Sequence, residues 1–391
     1  MIAQLGKKFN EKEEIIMKHT IFTPYRVCPL GAHVDHQLGQ VTGFAIDRGV
    51  ELEFDITEDG TFDLISKNYP GHIMFTLEDE LEREMLWGDF LKAAIVALSR
   101  KYELRRGIKG VIEGTLPVGG LSSSAAVILA YLNAVCIAND IQITRPEIIS
   151  NAIWAERNYI GVNVGKLDQS CEVYCRKNGL LFLDTLDDSN EIIPVSSNMK
   201  PFEIMIVFGG KERQLAGSAY NTRVDECKAA AYALQAYAGM DYGNYKDTYL
   251  RNVPIGVYLQ YKDRLPENWR KRAEHFYGER QRVKDGIKAW KKGDIEEFGR
   301  LMFQSGRSSI ELYETGSDNL RDLQDIFENT DGIYGGRFSG AGFNGSSIAL
   351  INPDKKEEIA DKVRKEYIKR HPNLEKDFAI YFVNTADGIK L

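Results

Sequence analysis

An α+β protein built as two domains is what this sequence predicts, and three observations carry that reading. At 391 residues, 43% hydrophobic and 27% charged, the chain is an ordinary globular sequence long enough for two cores. Alternating, strand-like runs are interleaved with runs at helical spacing along the whole length. A polar stretch, residues 196–200 closed by Pro201, interrupts the pattern at mid-chain and is the best candidate for a boundary between domains 1–195 and 196–391.

The elements follow in order. Residues 21–28 and 44–56 are β-branched and alternating and predict strands, with 62–66 continuing the sheet. Leu86, Phe90, Ala93, Ala94, Val96 and Leu98 lie at helical spacing and predict a helix over 85–102, followed by a strand at 108–114. A helix over 125–139 starts directly after a glycine and serine loop. Helices are then expected over 146–159, stopping near Gly161, and again from near Leu167, before strands at 180–184 and 192–195. Beyond the boundary come a strand at 203–208 and a long helix at 218–240. Residues 266–300 read as two or three amphipathic helices, with a break near Gly293 and another at Gly278. The tail alternates strand 332–338, glycine loop, strand 347–351, helix 354–369 and strand 378–383.

Bulk properties exclude some functions. A net charge of −7 and a pI near 5.6 argue against a nucleic-acid partner, because phosphate-backbone recognition rests on a basic field. No apolar run approaches a membrane span and the N-terminal stretch has no signal-peptide core, so a cytoplasmic location without a membrane partner is expected. The five cysteines (Cys28, Cys136, Cys171, Cys175, Cys227) show no zinc-type pairs, and Cys171 and Cys175 are read as packing on a helix rather than as a metal pair.

Four polar clusters stand out. Between Arg26 and Gln37 a strand-like run is followed by His33, Asp35 and His36 around a Gly turn, a mixture that a core does not need and a polyhydroxylated ligand would use; a polar surface loop is the alternative. Gly119, Gly120, Ser122, Ser123 and Ser124 stand directly before an Ala-rich helix, where unpaired backbone N–H groups and the helix dipole receive phosphate; an N-cap serine after a turn would also explain them. It is neither a Walker A loop nor a dinucleotide fingerprint. A second glycine loop, residues 335–345 with Gly340 and Gly342, is too glycine-dense for a mere hairpin and is expected to brace the first loop or the phosphates. The fourth cluster joins Glu156 to residues 165–170, with Asp168 near a helix N-terminus where the dipole favours its ionised form; a capping role is the alternative.

The last three of these segments, in chain order, resemble the three motifs of the GHMP kinases, small-molecule kinases that include galactokinase, mevalonate kinase and homoserine kinase. Within that superfamily the sequence is similar to the galactokinase branch, which residues 87–90, 217–227, 275–283 and 298–302 also support. The resemblance is collinear over about residues 20–351. It implies the two-domain GHMP kinase fold: an N-terminal domain like the second domain of ribosomal protein S5 and a C-terminal ferredoxin-like α/β sandwich. It also implies ATP-dependent phosphorylation of a sugar at its anomeric hydroxyl, with Mg2+. Partners would be small-molecule sugar and ATP, and the expected state is a monomer or weak homodimer.

Residue by residue, the resemblance assigns Arg26 to offset charge between the sugar O1 and the γ-phosphate, and Asp168 to accept the O1 proton. His33, Asp35 and Tyr220 would bind sugar hydroxyls, and Trp87 would lie beside adenine, a buried core tryptophan being the alternative. The loop glycines and serines would cradle ATP, and Ser124 and Glu156 would ligate magnesium, although a solvated helix carboxylate would also account for Glu156. Three departures are visible: the phosphate loop is one residue shorter between Pro117 and Leu121, Lys166 replaces an apolar residue, and Asn344 replaces a glycine. Ala32 stands where galactokinases carry a glutamate that bonds a sugar hydroxyl toward C6. Losing that anion removes repulsion against a C6 carboxylate, and the run from Gly31 to Gln37 resembles plant-type galacturonokinases, so galacturonic acid is the favoured substrate. Lys166, His36 or Arg48 could supply the compensating charge. D-galactose is the alternative substrate, and a non-catalytic galactose and ATP sensor the remote one.

Overall fold

The computed structural model describes residues 18–116, 119–211, 217–241 and 243–391. Its first half runs β1 (His19–Val27), β2 (Gln40–Thr57), β3 (Thr61–Ser66), β4 (His72–Thr76), α1 (Asp89–Ser99), β5 (Gly107–Gly114), α2 (Ser123–Ala138), α3 (Arg145–Trp154), a π-helical turn (Ala155–Ile160), α4 (Leu167–Tyr174), β6 (Gly179–Asp184) and β7 (Asn190–Pro194). The second half follows as β8 (Glu203–Gly209), α5 (Gly217–Tyr237), α6 (Ile255–Tyr261), α7 (Glu267–Lys292), α8 (Ile295–Glu311), α9 (Asp318–Glu328), β9 (Ile333–Phe338), β10 (Ser346–Ile351), α10 (Lys356–Arg370), β11 (Phe378–Val383) and β12 (Thr385–Ala386).

The larger sheet runs β4-β3-β5-β2-β6-β7, with β1 and β12 also paired to β2. Among the described residues, only β3 and β5 pair in parallel. The long strand β2 is its spine: its C-terminal half pairs with β5 and its first residues with β6. The register of β1 on β2 shifts between Pro24 and Arg26, a bulge of the kind that re-aims a side chain, and Arg26 follows it. Behind the sheet lies α2, apolar on all sides and accordingly buried along nearly its whole length. Its N-terminus emerges at the glycine and serine loop, which is how the fold delivers free N–H groups to a surface.

The smaller sheet is antiparallel in the order β11-β8-β10-β9. Both faces of β8 are buried: Met205 and Val207 pack with α9 and α10, whereas Ile204, Ile206 and Phe208 turn toward the core shared with the larger sheet. That two-sided burial explains why the strand reads as a continuous apolar run. The chain end then returns to the first sheet, where Thr385 and Ala386 pair with Ile46 and Ala45 and the Ile389 N–H reaches the Glu172 carbonyl.

Several elements differ from the sequence reading. The helix expected over 85–102 begins only at Asp89, whose carboxylate accepts the Glu84 and Met85 N–H groups, and Met85 has φ +63°. Trp87 therefore precedes the helix. No break occurs at Gly278, which sits inside the 26-residue α7; an interior glycine costs only about 1 kcal/mol against alanine, and packing carries the helix through. The strand β4, the helices α6 and α9 and the short β12 have no counterpart in the sequence reading.

Candidate active site

The site is assembled around Arg26, which is 5% exposed. Its Nε donates to Asp168 Oδ1 at 2.8 Å, and its Nη1 lies 3.3 Å from the Gly120 carbonyl and 3.4 Å from Ser339 Oγ. One guanidinium from β1 thus touches the α4 carboxylate and both glycine loops. Burial works against its charge, but the adjoining Asp168 outweighs it and raises its pKa. Asp168 is the second residue of α4, and Lys166 occupies the cap position, so capping does not explain the carboxylate.

The two glycine loops are locked together. Ser339 Oγ donates to the Gly120 carbonyl at 2.7 Å and Ser346 Oγ to the Gly119 carbonyl at 2.9 Å. Gly120 has φ +96°, and a Cβ there would stand 2.9 Å from the Ser339 carbonyl oxygen, so both conformation and space demand glycine. Gly340 packs directly against it, and the Gly342 carbonyl accepts the Gly316 and Ser317 N–H groups. Asn344 takes a left-handed φ of +64°, a conformation asparagine tolerates, which accounts for its place in a glycine motif. Pro117 and Val118, where the loop is short, lie outside the described residues.

Ser122 precedes α2 in a left-handed conformation and makes no capping bond; its hydroxyl is buried without a partner. An N-cap account therefore fails, and a donor is left at the open helix end. Ser123 begins the helix, and Ser124 Oγ donates to Glu156 Oε1 at 3.0 Å. Glu156 is 4% exposed on the π-helical turn and also receives the Gln169 amide, so it is no solvated surface carboxylate. Two hard oxygen donors at the start of α2, beside the unpartnered Ser122 hydroxyl, fit magnesium, which usually keeps several waters.

Neither is the loop after β1 a surface loop, since His33, Asp35, His36 and Gln37 are all buried. The Asp35 carboxylate accepts the Leu167 N–H at 3.2 Å, and Gly165 passes so close that a Cβ would overlap that carboxylate. Burial, then Asp168, raises the Asp35 pKa. His33 stacks on Tyr313 with ring centroids 4.5 Å apart, and its Nε2 is buried without a partner. His36 Nε2 meets Tyr313 Oη at 2.9 Å, and burial lowers its pKa to about 3. The half-buried Tyr220 lies edge-on to His36, its phenol pKa raised by burial and then by Asp35 and Asp168. Trp87 is half-buried against the apolar core and donates to the Pro70 carbonyl.

Each of the three groups expected to balance a C6 carboxylate already has a partner in the structure. Lys166 pairs with Asp188, Arg48 pairs with Asp47 at the surface, and His36 is a neutral ring engaged by Tyr313 and Gln37. Sequence reasoning also gave no role to His275, Glu279, Ser339, Arg337 or Tyr313, all buried here. The signal for the first two was present as polar residues four apart on the apolar face of an amphipathic helix.

Two glycine loops bracketing a helix N-terminus, with an Arg–Asp pair beside them, define a phosphoryl-transfer fold, and both halves match models of one class: GHMP kinases N terminal domain at residues 89–176 and GHMP kinases C terminal at 287–369. The chain is 37% identical to a galacturonokinase of Arabidopsis thaliana over its full length and 93% of that protein. It is 30% identical to a galactokinase of Thermosipho africanus over 94% of this chain and 97% of that one. The crystal structure of Lactococcus lactis galactokinase complexed with galactose superposes with a TM-score of 0.87 at 29% identity, covering 96% of this chain and 95% of that one. The chain belongs to the galactokinase family of the GHMP kinases, a family of sugar kinases.

Proposed function

We propose that the chain transfers the γ-phosphoryl group of ATP to the anomeric hydroxyl of a galacto-configured sugar, with galacturonic acid preferred. The observation that carries the chemistry is the Arg26 guanidinium, which spans Asp168 and the two phosphate-side loops. Phosphoryl transfer asks chiefly for alignment and for positive charge at the transferring group. Arg26 supplies that charge, offsetting negative charge between O1 and the γ-phosphate, while Asp168 orients the O1 hydroxyl and takes its proton. Asp35, His33 and Tyr220 hold ring hydroxyls, and the α2 N-terminus with Ser122 and Ser123 receives phosphate oxygens. Ser124 and Glu156 would hold Mg2+, which when bound neutralises phosphate charge. Trp87 is assigned to the adenine side.

Preference for the uronate rests on Ala32, which puts a methyl group where galactokinases carry a carboxylate, and on the 37% identity to a galacturonokinase. Like charges at about 4 Å repel by roughly 1 to 4 kcal/mol, enough to decide between a uronate and its parent sugar. The unpartnered His33 Nε2 is the buried group left over in this loop, as a group assigned to a ring hydroxyl should be. The galactose-bound neighbour favours D-galactose as the second reading. A coupled assay with Mg-ATP against galacturonate, galactose, glucuronate and N-acetylgalactosamine separates them. Galacturonate is expected to turn over fastest, and Ala32→Glu to depress that rate about tenfold or more. Faster turnover of galactose by the native chain would remove the uronate assignment and leave the kinase.

A further inference from the structure

Ala32, the residue on which substrate choice turns, is not held by its own half of the molecule. Its N–H points to Glu279 Oε1 at 3.3 Å, its carbonyl accepts His275 Nε2 at 3.0 Å, and the preceding Gly31 N–H meets the same Glu279 oxygen at 2.7 Å. His275 and Glu279 are one helical turn apart on α7, so a single helix face grips both polar groups of one peptide residue.

The grip is rigid because each gripping group is itself saturated. Glu279 is fully buried, takes the Ser305 hydroxyl at 2.6 Å on Oε1, and takes Arg282 Nε at 2.6 Å on Oε2. Arg337 donates to Ser305 Oγ at 2.5 Å and to Ser309 Oγ at 3.1 Å, extending the network to β9, which Ser339 directly follows. Burial alone would favour a protonated Glu279, but Arg282 and Arg337, with the Ser305 hydroxyl, hold it ionised, with a pKa of about 2. His275 is correspondingly fixed: a carbonyl only accepts, so Nε2 carries the proton, Nδ1 accepts the Ser308 hydroxyl at 2.8 Å, and burial keeps the ring neutral with a pKa of about 4.

We propose that Glu279 and His275 are specificity-positioning residues, which set the depth and orientation of the Ala32 peptide and hence which C6 substituent the sugar site admits. The proposal rests on the reading that Ala32 borders C6. It adds that the selecting surface is aligned from the second half of the chain, by side chains that touch neither sugar nor ATP. A backbone held by two charge-assisted contacts and one ring donor cannot relax to accept a substituent that does not fit.

Steady-state kinetics of Glu279→Gln, with galacturonate and galactose as alternative sugars, test it. The carboxamide cannot present acceptors both to the two loop N–H groups and to Arg282. Sugar KM is expected to rise about tenfold, with kcat and the ATP KM within about threefold of the native values and the galacturonate-to-galactose ratio of kcat/KM shifted about fivefold or more. The pair His275→Leu and His275→Gln gives an independent readout: Leu removes the donor and should reproduce the effect, whereas Gln supplies an amide N–H and should restore the native KM. Equal changes in sugar and ATP KM, or a ratio unchanged in both Glu279→Gln and His275→Leu, would overturn the proposal. An unmoved ratio in Ala32→Glu alone would instead strike the reading of Ala32, which keeps the two failures apart.

Discussion

The loop assigned to the sugar and the loop assigned to phosphate both reach the Arg26–Asp168 pair, one through the Asp35 bond to Leu167 and the other through the Gly120 carbonyl, yet are mounted in opposite ways. Residues 31–37 are fixed by side chains: a buried carboxylate, three neutral imidazoles and a tyrosine, nearly all mutually satisfied. Residues 119–124 are fixed through their backbone, by serine hydroxyls on two carbonyls and by glycine-on-glycine contact, and they keep an unpartnered hydroxyl and an open helix end. The difference follows the ligands. A phosphate chain needs N–H and O–H donors left unspent, which a backbone cradle provides. A sugar must be told from its near relatives, which requires groups of defined shape and direction.

Breaking the point where the two mounts meet has the largest expected effect. Asp168→Asn keeps the size of the side chain and can still accept from Arg26, but it removes the proton acceptor; kcat is expected to fall by about 10² to 10⁴. Sugar affinity measured by calorimetry should remain within several-fold, because the hydroxyl-binding residues are untouched. Near-native turnover would exclude Asp168 from the proton transfer.

Next comes the phosphate mount alone. In Gly120→Ala, a left-handed φ costs about 1–2 kcal/mol, and the new Cβ must push the Ser339 carbonyl away from 2.9 Å. The ATP KM is expected to rise about tenfold to a hundredfold while the sugar KM stays within about threefold. A parallel rise in both would show that the loops are one mechanical unit, and the contrast drawn between them would not stand.

This contrast also explains what the sequence made legible. Glycine and serine at a helix start announce a backbone cradle, because the chemistry lies in local residue types. Helix α2 and strand β8 were readable for the same reason, their apolar runs being continuous. The sugar mount is a long-range construction: Glu279 reaches Gly31 across 248 residues, and Arg26 meets Asp168 across 142. Nothing in local periodicity pairs such residues; family resemblance alone connected Arg26 with Asp168, and it assigned nothing to Glu279. The start of α1 was misread because Asp89 turns its carboxylate back onto the preceding residues, a tertiary-scale choice that an apolar pattern through Leu86 does not reveal.

The smallest expected effect concerns the helix that carries the meeting point. One turn beyond Asp168 on α4, Glu172 is wholly buried with both carboxylate oxygens unpartnered, while its surroundings include Asp168 and Cys175 on its own helix, Arg26 and Tyr25 on β1, and Glu156 on the π-helical turn. Burial, then Asp168, raises its pKa well above 4.5. The sign follows directly. Above pH 4.5 the unfolded carboxyl has lost its proton and the folded one has kept it, so folding takes up a proton, and stability falls as pH rises until the folded group ionises as well. Glu172→Met, similar in length and without the charge, should therefore stabilise the protein by about 1–3 kcal/mol near pH 8, the usual cost of an unsatisfied buried polar group. Thermal melts should show a clearly smaller gain near pH 4.5, where the unfolded carboxyl is still half protonated and the ionisation penalty has only begun to accrue. An equal gain at both pH values would assign the effect to packing rather than ionisation. A loss of turnover beyond several-fold with stability raised would mean instead that this carboxyl, like the residues above it on α4, belongs to the meeting point of the two loops.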